Sequence, residues 1–393
     1  MELRRFSILS SVLACFSTIT PASAETIVVD NDFLDCPQAD TSSIQAAVVA
    51  AFPGDKILVC RGVYAESVLV NKDDLRIEAQ AAPGDVILQG TPAQQFGFHL
   101  LGTSGVLVQG FTVQGFRTAN IRIENGGGNT LRNNVTTQLV GPVASSIQVL
   151  NSTANIVEQN TAFANCSTCS GISVTGAGSS DNIIRQNETF GNGMAGVQAN
   201  ASGPRNVLFS NRSYSNTIGI RNILGSNGNL IENNYVFLNA APATQPPTLV
   251  SGGIIIGAST GVTVRNNRSE RNDDFGIRLQ NGASHNTVEK NEVRENDRDG
   301  IRLESAAPGV AVPGPVTGNT VQLNVIRRNG RDGIRVFDPA VAKNLIERNV
   351  IRESAEHDAH DDSVGPGPGA TLNFWIENKC EIDHPPGLCE QPH

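Results

Sequence analysis

The chain has 393 residues and a formal net charge of −9 at pH 7, which argues against a general nucleic-acid binder. It contains only 3 Tyr and 1 Trp, so a surface that stacks exposed bases is also unexpected. The length allows two domains, but repeats run through most of the sequence and favour one elongated domain.

Residues 1–24 have the pattern of an export signal. Arg4 and Arg5 form a charged start, an apolar stretch follows, and Ala22-Ser23-Ala24 resembles a cleavage site. The alternative is a lipid-attachment box ending at Cys15, which Leu13 fits poorly. No later apolar run is long enough to cross a bilayer, so we predict a secreted or periplasmic protein with no transmembrane segment.

The cysteines predict a disulfide framework. Removal of the signal takes Cys15 away and leaves six cysteines, an even number that suits an exported protein. The Cys166–Cys169 pair could instead form a redox or metal motif, but a structural disulfide is the simpler interpretation. If each cysteine pairs with its neighbour in the sequence, the disulfides are Cys36–Cys60, Cys166–Cys169 and Cys380–Cys389.

A short helix is predicted before the repeats, over residues 42–51. Ser42 and Ser43 are suitable caps, the following residues are apolar, and Pro53-Gly54 ends the segment. We expect this helix to cover the open end of a solenoid, because an uncovered coil exposes unpaired backbone groups.

The repeat has the form apolar-x-x-Asn, as in Leu131-Arg-Asn-Asn134, and it recurs about every 27 residues, inside the range of solenoids. A second string, Gly-Ile-Arg-Leu or Gly-Ile-Arg-Val, follows the later asparagines and alternates apolar and polar residues as strands do. A propeller or sandwich fold would not explain an asparagine that recurs about every 27 residues. The repeat asparagines are Asn134, Asn160, Asn187, Asn211, Asn234, Asn267, Asn291, Asn324 and Asn349.

We predict a structural role for these nine asparagines. Asparagine tolerates left-handed backbone angles, and its amide can hydrogen-bond to the same group one coil away. Coils that stack ~4.8 Å apart place identical side chains in ladders. The sequence therefore predicts an all-β solenoid with an asparagine at each corner.

The sequence Ser43-Ile-Gln-Ala-Ala, the segment Pro53–Val59 and the coils with Asn and Gly-Ile-x-Leu together resemble the right-handed parallel β-helix superfamily. That group includes pectate lyases, polygalacturonases, mannuronan epimerases and a periplasmic copper-site maturation protein. The resemblance covers nearly all of the mature chain and implies a fold, but fold alone does not settle an activity. The expected organisation is a monomeric domain over residues 25–393, with caps at 25–55 and 363–393 and coils at 56–362.

The register of the coils predicts which residues become neighbours. Gly276, Gly300 and Gly333 each lie nine residues after a corner asparagine, and the same spacing after Asn349 reaches Asp358. Strand alternation turns Ile and Leu inward and the residue between them outward. The predicted outward column is His99, Arg122, Gln148, Ser173, Gln198, Arg221, Ile255, Arg278, Arg302, Arg335 and His360.

The arginines in this column need a balancing charge, since like charges ~4.8 Å apart repel by about 0.9 kcal/mol even in water. One alternative is a solvated lattice in which Asp299, Asp332 and Glu304 pair with Arg302 and Arg335. The other is an anionic polysaccharide whose carboxylates lie along the guanidinium groups.

The resemblance implies candidate catalytic residues at the last coil. Asp358-Ala359-His360-Asp361 resembles the Asp-x-His-Asp motif of mannuronan epimerases, although it lies at the end of the solenoid and lacks their Tyr-Gly context. Lyase or epimerase chemistry needs a neutralised uronate carboxylate and a base. We assign His360 as the base and Arg335 as the neutralising group, with His357 or Asp332 assisting. The expected substrate-binding residues are Arg278, Arg302, Asp299 and Glu304.

Three other interpretations remain open. The run from His357 to Asp362 could be a polar end turn that binds a divalent cation such as calcium; no other cofactor is expected. The protein could bind polysaccharide without catalysis, or serve as a periplasmic accessory factor. Asn272-Asp273-Asp274 faintly resembles the acidic cluster of polygalacturonases, a hydrolase pattern. Enlarged loops at 240–251 and 305–318 border the column and could wall a substrate channel.

Overall fold

Parallel strands form almost all of the regular structure in a computed structural model of the chain, which describes residues 24–142, 144–241, 251–305, 314–365 and 370–390. The predicted signal segment lies outside the described residues, apart from its last residue, and so do most of the two enlarged loops. The strands stack into three long sheets that wind into a right-handed parallel β-helix, as the sequence predicts.

Each coil contributes one strand to each of three sheets, which we name by their strand numbers. The 14-stranded sheet consists of Thr26–Val29, Lys56–Val59, Arg76–Ala79, Leu107–Gln109, Thr130–Arg132, Ile156–Glu158, Ile183–Arg185, Val207–Phe209, Leu230–Glu232, Thr263–Arg265, Thr287–Glu289, Thr320–Gln322, Leu345–Glu347 and Phe374–Ile376. The 12-stranded sheet consists of Gly62–Tyr64, Val86–Gln89, Thr112–Gln114, Val135–Thr137, Thr161–Phe163, Glu188–Phe190, Arg212–Tyr214, Tyr235–Phe237, Arg268–Glu270, Glu292–Arg294, Val325–Arg327 and Val350–Arg352.

The 13-stranded sheet carries the predicted column. It consists of Val68–Val70, Phe96–Leu101, Ala119–Glu124, Ser145–Leu150, Ser170–Thr175, Ala195–Asn200, Ile218–Ile223, Gly252–Gly257, Phe275–Gln280, Asp299–Glu304, Asp332–Val336, His357–Asp361 and Asp383–His384. A fourth, two-stranded sheet pairs Val316–Thr317 with Val341–Ala342.

The interior is a set of apolar stacks that run along the helix axis. In the 13-stranded sheet, Ile277, Ile301 and Ile334 pair in register and are fully buried. Burying one such side chain stabilises the fold by about 1.5–3 kcal/mol. A Cβ atom at Gly276 would lie 2.3 Å from Val293 Cγ1 and 2.7 Å from the carbonyl oxygen of Gly300, so only glycine fits before the isoleucine.

The corner asparagines form the predicted ladder. In each step, the backbone N–H and the side-chain Nδ2 of one asparagine donate to Oδ1 of the next, as Asn267 does to Asn291 at 2.9 and 3.0 Å. The same contacts join all nine residues and end at Asn378, which is not one of the nine predicted asparagines.

Of the two reasons predicted for asparagine at the corner, the hydrogen bonds between amides are confirmed and the left-handed backbone angle is wrong. The left-handed backbone angle belongs to the preceding residue, such as Asn266 at φ 55° or Lys290 at φ 54°, and not to the ladder asparagine. The ladder residue is therefore selected by its amide, which donates and accepts at once in a buried site. Two further corners carry asparagine stacks of the same kind, for example Asn155–Asn182 and Asn192–Asn216.

The predicted N-terminal helix spans Ile44–Ala50 and is the only helix among the described residues. Ser43 accepts a hydrogen bond from the Ala46 N–H, and Glu66 accepts from the N–H groups of Ile44 and Gln45. The helix buries Ile44, Ala47 and Val48 against the first coil. No described helix is both long and apolar enough to span a membrane.

The three predicted disulfides are present. They join Cys36 to Cys60, Cys166 to Cys169, and Cys380 to Cys389. Because both sulfur atoms of Cys166 and Cys169 are in the disulfide, neither is a free thiolate that could bind a metal in this form. The last disulfide closes the loop that carries the final strand, Asp383–His384.

Candidate functional site

The outward column of the 13-stranded sheet has the register that the sequence predicts. Backbone pairing joins Arg278 to Arg302, Arg302 to Arg335, and Arg335 to His360 on consecutive coils. The neighbouring column pairs Asp332 with His357. Residues that lie up to 82 positions apart in the chain therefore share one face of the molecule.

In the middle of the column, carboxylates neutralise the arginines. Arg278 pairs with Glu304, while Arg302 binds Asp274 at 2.7 and 3.0 Å and also binds Asp299. The residues Arg278 and Arg302 are 1% and 4% exposed, so the expected solvated lattice is instead a buried one. Burial lowers the pKa of Arg278, and the nearby Glu304 carboxylate opposes that change.

This pairing changes the role expected for the middle arginines. Asp274, which the sequence suggested as part of a hydrolase-like acidic cluster, is engaged by Arg302, and Asp273 accepts a hydrogen bond from Ser251 at 2.7 Å. Arg331 adds a further contact to Asp299 at 2.9 Å. Each of these guanidinium groups already contacts a carboxylate of the chain, so a polysaccharide carboxylate would have to compete with that partner.

At the C-terminal end, four of the predicted site residues lie together, with Asp332 at the centre. We call Asp332, Arg335, His357 and His360 the end cluster. Asp332 is fully buried; its Oδ1 lies 3.1 Å from His357 Nδ1. Its Oδ2 lies 2.7 Å from Arg335 Nη1 and 3.3 Å from His360 Nδ1. Arg331 Nε lies 3.3 Å from the same Oδ2. One carboxylate thus contacts two imidazoles and two guanidinium groups.

Asp362 borders the end cluster on its outer side. Its Oδ1 lies 3.0 Å from His360 Nε2, and its Oδ2 accepts from Arg335 Nη2 at 2.7 Å. The Asp362 side chain is 35% exposed, unlike the fully buried Asp332. His360 is therefore held between one inner and one outer carboxylate.

These contacts shift the protonation of the end cluster. The hydrogen bond to Asp332 raises the pKa of His360 above its usual value, against the opposing effect of burial. Burial by itself would raise the pKa of Asp332, but hydrogen bonds from His360 and Arg335 outweigh it and hold that pKa well below its usual value. At neutral pH the cluster thus contains a permanent anion beside an imidazole that can take up or release a proton.

The Asp-x-His-Asp motif contributes only its histidine to the end cluster. Asp358 is buried and accepts hydrogen bonds from the N–H groups of Ser354 and Glu381. Asp361 is also buried and accepts from Trp375 Nε1 at 2.8 Å. Both aspartates tie the last coil to the C-terminal cap, which is a structural role.

Two residues beside the end cluster have no signal in the repeat pattern. The Phe337 ring lies 4.8 Å from the guanidinium carbon of Arg335 and the residue is 37% exposed. His384 pairs with His360 in the last strand, and its ring centre lies 5.2 Å from that of His360. His384 follows the irregular cap segment, so counting from a corner asparagine cannot reach it.

Comparisons with known proteins agree with this fold. The family model described as Right handed beta helix region matches residues 206–326 and 250–365, and the model for Periplasmic copper-binding protein (NosD) matches residues 68–246. No curated protein matches the chain significantly in sequence.

Several solved structures superimpose on most of the chain. The A-module of a mannuronan C-5 epimerase from Azotobacter vinelandii shares 14% identity, covers 88% of this chain and 96% of its own, and has a TM-score of 0.68. The catalytic unit of an alpha-1,3-glucanase from Streptomyces thermodiastaticus shares 12% identity, with 93% and 70% coverage and a TM-score of 0.69. A surface adhesin of Streptococcus pneumoniae shares 13% identity, with 80% and 86% coverage and a TM-score of 0.58. Identities this low establish the fold alone.

Proposed function

We propose that this chain, which folds as a right-handed parallel β-helix, is an exported protein that acts on a uronate-containing polysaccharide by lyase or epimerase chemistry. The observation that carries the proposal is the end cluster, in which His360 lies between two carboxylates and beside Arg335. The structurally similar epimerase, by name a mannuronan C-5 enzyme, provides a precedent for this fold and this chemistry.

The proposed reaction starts with proton removal from the carbon next to the uronate carboxylate. His360 in its neutral form is the base, and Asp332 orients the ring and stabilises the imidazolium that forms. Arg335 neutralises the substrate carboxylate, which makes the neighbouring C–H bond more acidic. His357, which Asp332 also holds and whose ring centre lies 4.6 Å from that of His360, is the proposed proton donor to the opposite side or to the leaving oxygen.

Substrate binding requires an exchange of partners at Arg335. Asp362 contacts the guanidinium group through one carboxylate oxygen and is partly exposed, so it occupies the position that a uronate carboxylate would take. The exposed face of Phe337 lies beside the same group and suits the apolar face of a sugar ring. In this proposal, Arg278, Arg302, Asp299 and Glu304 support the floor of the site, and direct contact with substrate is made by Arg335.

The test is to incubate the mature protein with alginate, pectate and glycosaminoglycans. Lyase activity would appear as absorbance of an unsaturated product, and epimerase activity as a changed epimer ratio. We expect His360→Ala and Arg335→Ala each to lower kcat/KM by about 10²–10⁴-fold, the range typical for a lost proton-transfer group. His99→Ala is the matched control, because His99 lies in the same column and pairs with Glu124 at the other end of the solenoid.

The second candidate is a non-catalytic protein that binds polysaccharide or assists other exported proteins. The buried ion pairs of Arg278 and Arg302 favour it, since these two arginines do not present free positive charge along the described part of the column. Saturable binding of a uronate polymer without turnover, weakened by Arg335→Ala and unaffected by His360→Ala, would support this candidate and contradict the catalytic one. New reducing ends without unsaturation would instead support the third alternative, a hydrolase.

A further inference from the structure

The end cluster also has the composition of a metal site. Asp332, His357 and His360 each offer a ligand atom, and these atoms lie within 4.8 Å of one another. We propose that these three side chains, with His384 as a fourth ligand, bind one divalent transition-metal ion of the Zn²⁺ class. The inference goes beyond the proposed function and does not depend on it, because metal binding can be measured without any substrate.

The distances between the donor atoms are close to those around such an ion. Donor atoms that surround a tetrahedral zinc ion at ~2.0–2.1 Å lie ~3.3 Å from one another. In the end cluster, Asp332 Oδ1 is 3.1 Å from His357 Nδ1, and Asp332 Oδ2 is 3.3 Å from His360 Nδ1. These two contacts use different oxygens of Asp332, and one ligand atom from each of the three residues lies within 4.8 Å of the others. Small movements of the side chains would therefore bring all three donors to one ion.

His384 supplies the remaining position. Its strand pairs with that of His360, and its ring centre lies 5.2 Å from the His360 ring and 5.6 Å from the His357 ring. The three imidazoles thus converge, although they come from two strands separated by the irregular C-terminal cap. His384 is exposed, on the loop closed by Cys380–Cys389, so an ion from solution can reach the site.

The donor set selects the kind of metal. Calcium takes shells made of oxygen ligands, whereas imidazole nitrogen suits zinc, copper and nickel. Three imidazoles and one carboxylate are therefore a poor calcium site and a good one for a borderline-soft transition metal. The calcium suggested by the acidic run at the sequence level does not fit this donor set.

Arg335 sets the conditions for metal entry. Its Nη1 lies 2.7 Å from Asp332 Oδ2 and 3.2 Å from His360 Nδ1, beside the position that the ion would occupy. Binding requires the guanidinium group to withdraw toward Asp362, which remains its partner at 2.7 Å. Removing the positive charge of Arg335 should therefore tighten metal binding, whereas the same change should abolish the proposed catalysis.

Isothermal titration of the tag-free mature chain with ZnCl₂, together with the visible spectrum of the Co²⁺ form, tests the proposal. We expect one ion per chain and a tetrahedral Co²⁺ spectrum. His357→Ala should weaken Zn²⁺ binding by at least about 100-fold, since the loss of even an outer-shell partner typically costs 10–100-fold. His384→Ala should weaken binding by about tenfold, and Arg335→Gln should strengthen it several-fold.

The control is His285→Asn, which removes an exposed imidazole at a coil corner outside the end cluster and keeps a residue that tolerates the left-handed angle at position 285, φ 52°. Circular dichroism checks that each variant is folded. No saturable binding to the parent chain, or equal binding by the His357→Ala and His285→Asn variants, would overturn the proposal. If Zn²⁺ binds as expected but no uronate polymer is turned over, the metal site stands and the proposed enzymatic function fails.

Discussion

The middle and the end of one column of side chains differ in how their charges are balanced. In the middle, Arg278 and Arg302 are buried and so are the carboxylates of Glu304 and Asp299, while the third partner, Asp274, is 19% exposed. At the end, Arg335 and His360 share a buried Asp332 with a partly exposed Asp362. The same stacking rule thus yields a largely buried, sealed ion-pair network in one region and a partly exposed one in the other, and the second is the region where we propose that a ligand binds.

The largest expected effect comes from breaking the sealed network. Glu304→Ala leaves the buried Arg278 guanidinium without its carboxylate, which should lower the free energy of unfolding by about 3–5 kcal/mol. Urea unfolding followed by circular dichroism measures this free energy. A solenoid can unfold in segments, so the value is taken from the first unfolding transition. The double variant Arg278→Met/Glu304→Leu should recover most of the loss. A single variant as stable as the parent would show that the middle network is not structurally important.

The next largest effect should come from the ladder. Asn267→Ala removes an amide that accepts from Asn234 and donates to Asn291, so it leaves buried polar groups unpaired at a cost of about 1–3 kcal/mol. The adjacent Asn266→Gly is the control, because Asn266 is exposed and holds a left-handed angle that glycine adopts freely. Equal losses for both variants would contradict the assignment of the two roles.

A smaller effect is expected when the outer carboxylate of the end cluster is neutralised. Asp362→Asn should change the free energy of unfolding by less than about 1 kcal/mol, because the side chain is partly exposed. The variant should bind uronate oligomers several-fold more tightly, since Arg335 no longer has a competing carboxylate. Equilibrium binding and urea unfolding measure the two quantities, and weaker binding would contradict the exchange of partners.

The smallest effect is a dependence on pH confined to the end cluster. The raised pKa of His360 means that its charged contact with Asp332 stabilises the fold fully below about pH 6.5 and is lost as the pH rises through the folded-state value. The lowered pKa of Asp332 means that its contribution is present above about pH 4 and is lost on acidification. Stability of the parent relative to His360→Gln should therefore be greatest between these limits. Titration of the His360 ring protons by NMR checks the direction, and the pKa should fall in Asp332→Asn.

The spacing of the repeats in the sequence predicts the fold and much of the strand pairing. A corner asparagine about every 27 residues and a glycine nine residues later were enough to predict the pairing of Arg278, Arg302, Arg335 and His360. The disulfide pairs followed from neighbours in the chain. The residues that the pattern missed, such as His384 and Phe337, lie in a cap or just beyond a strand, where the period no longer applies.

The sequence by itself determined the backbone: the coil length, the register and the inward or outward direction of each strand residue, because strand alternation and coil stacking repeat regularly. Only the tertiary structure decided the chemistry of the outward face. It paired Arg278 and Arg302 with buried acids and joined His360 to Asp332 and Asp362. Such pairings depend on side-chain reach and on burial by neighbouring coils, which vary from coil to coil and have no period in the sequence.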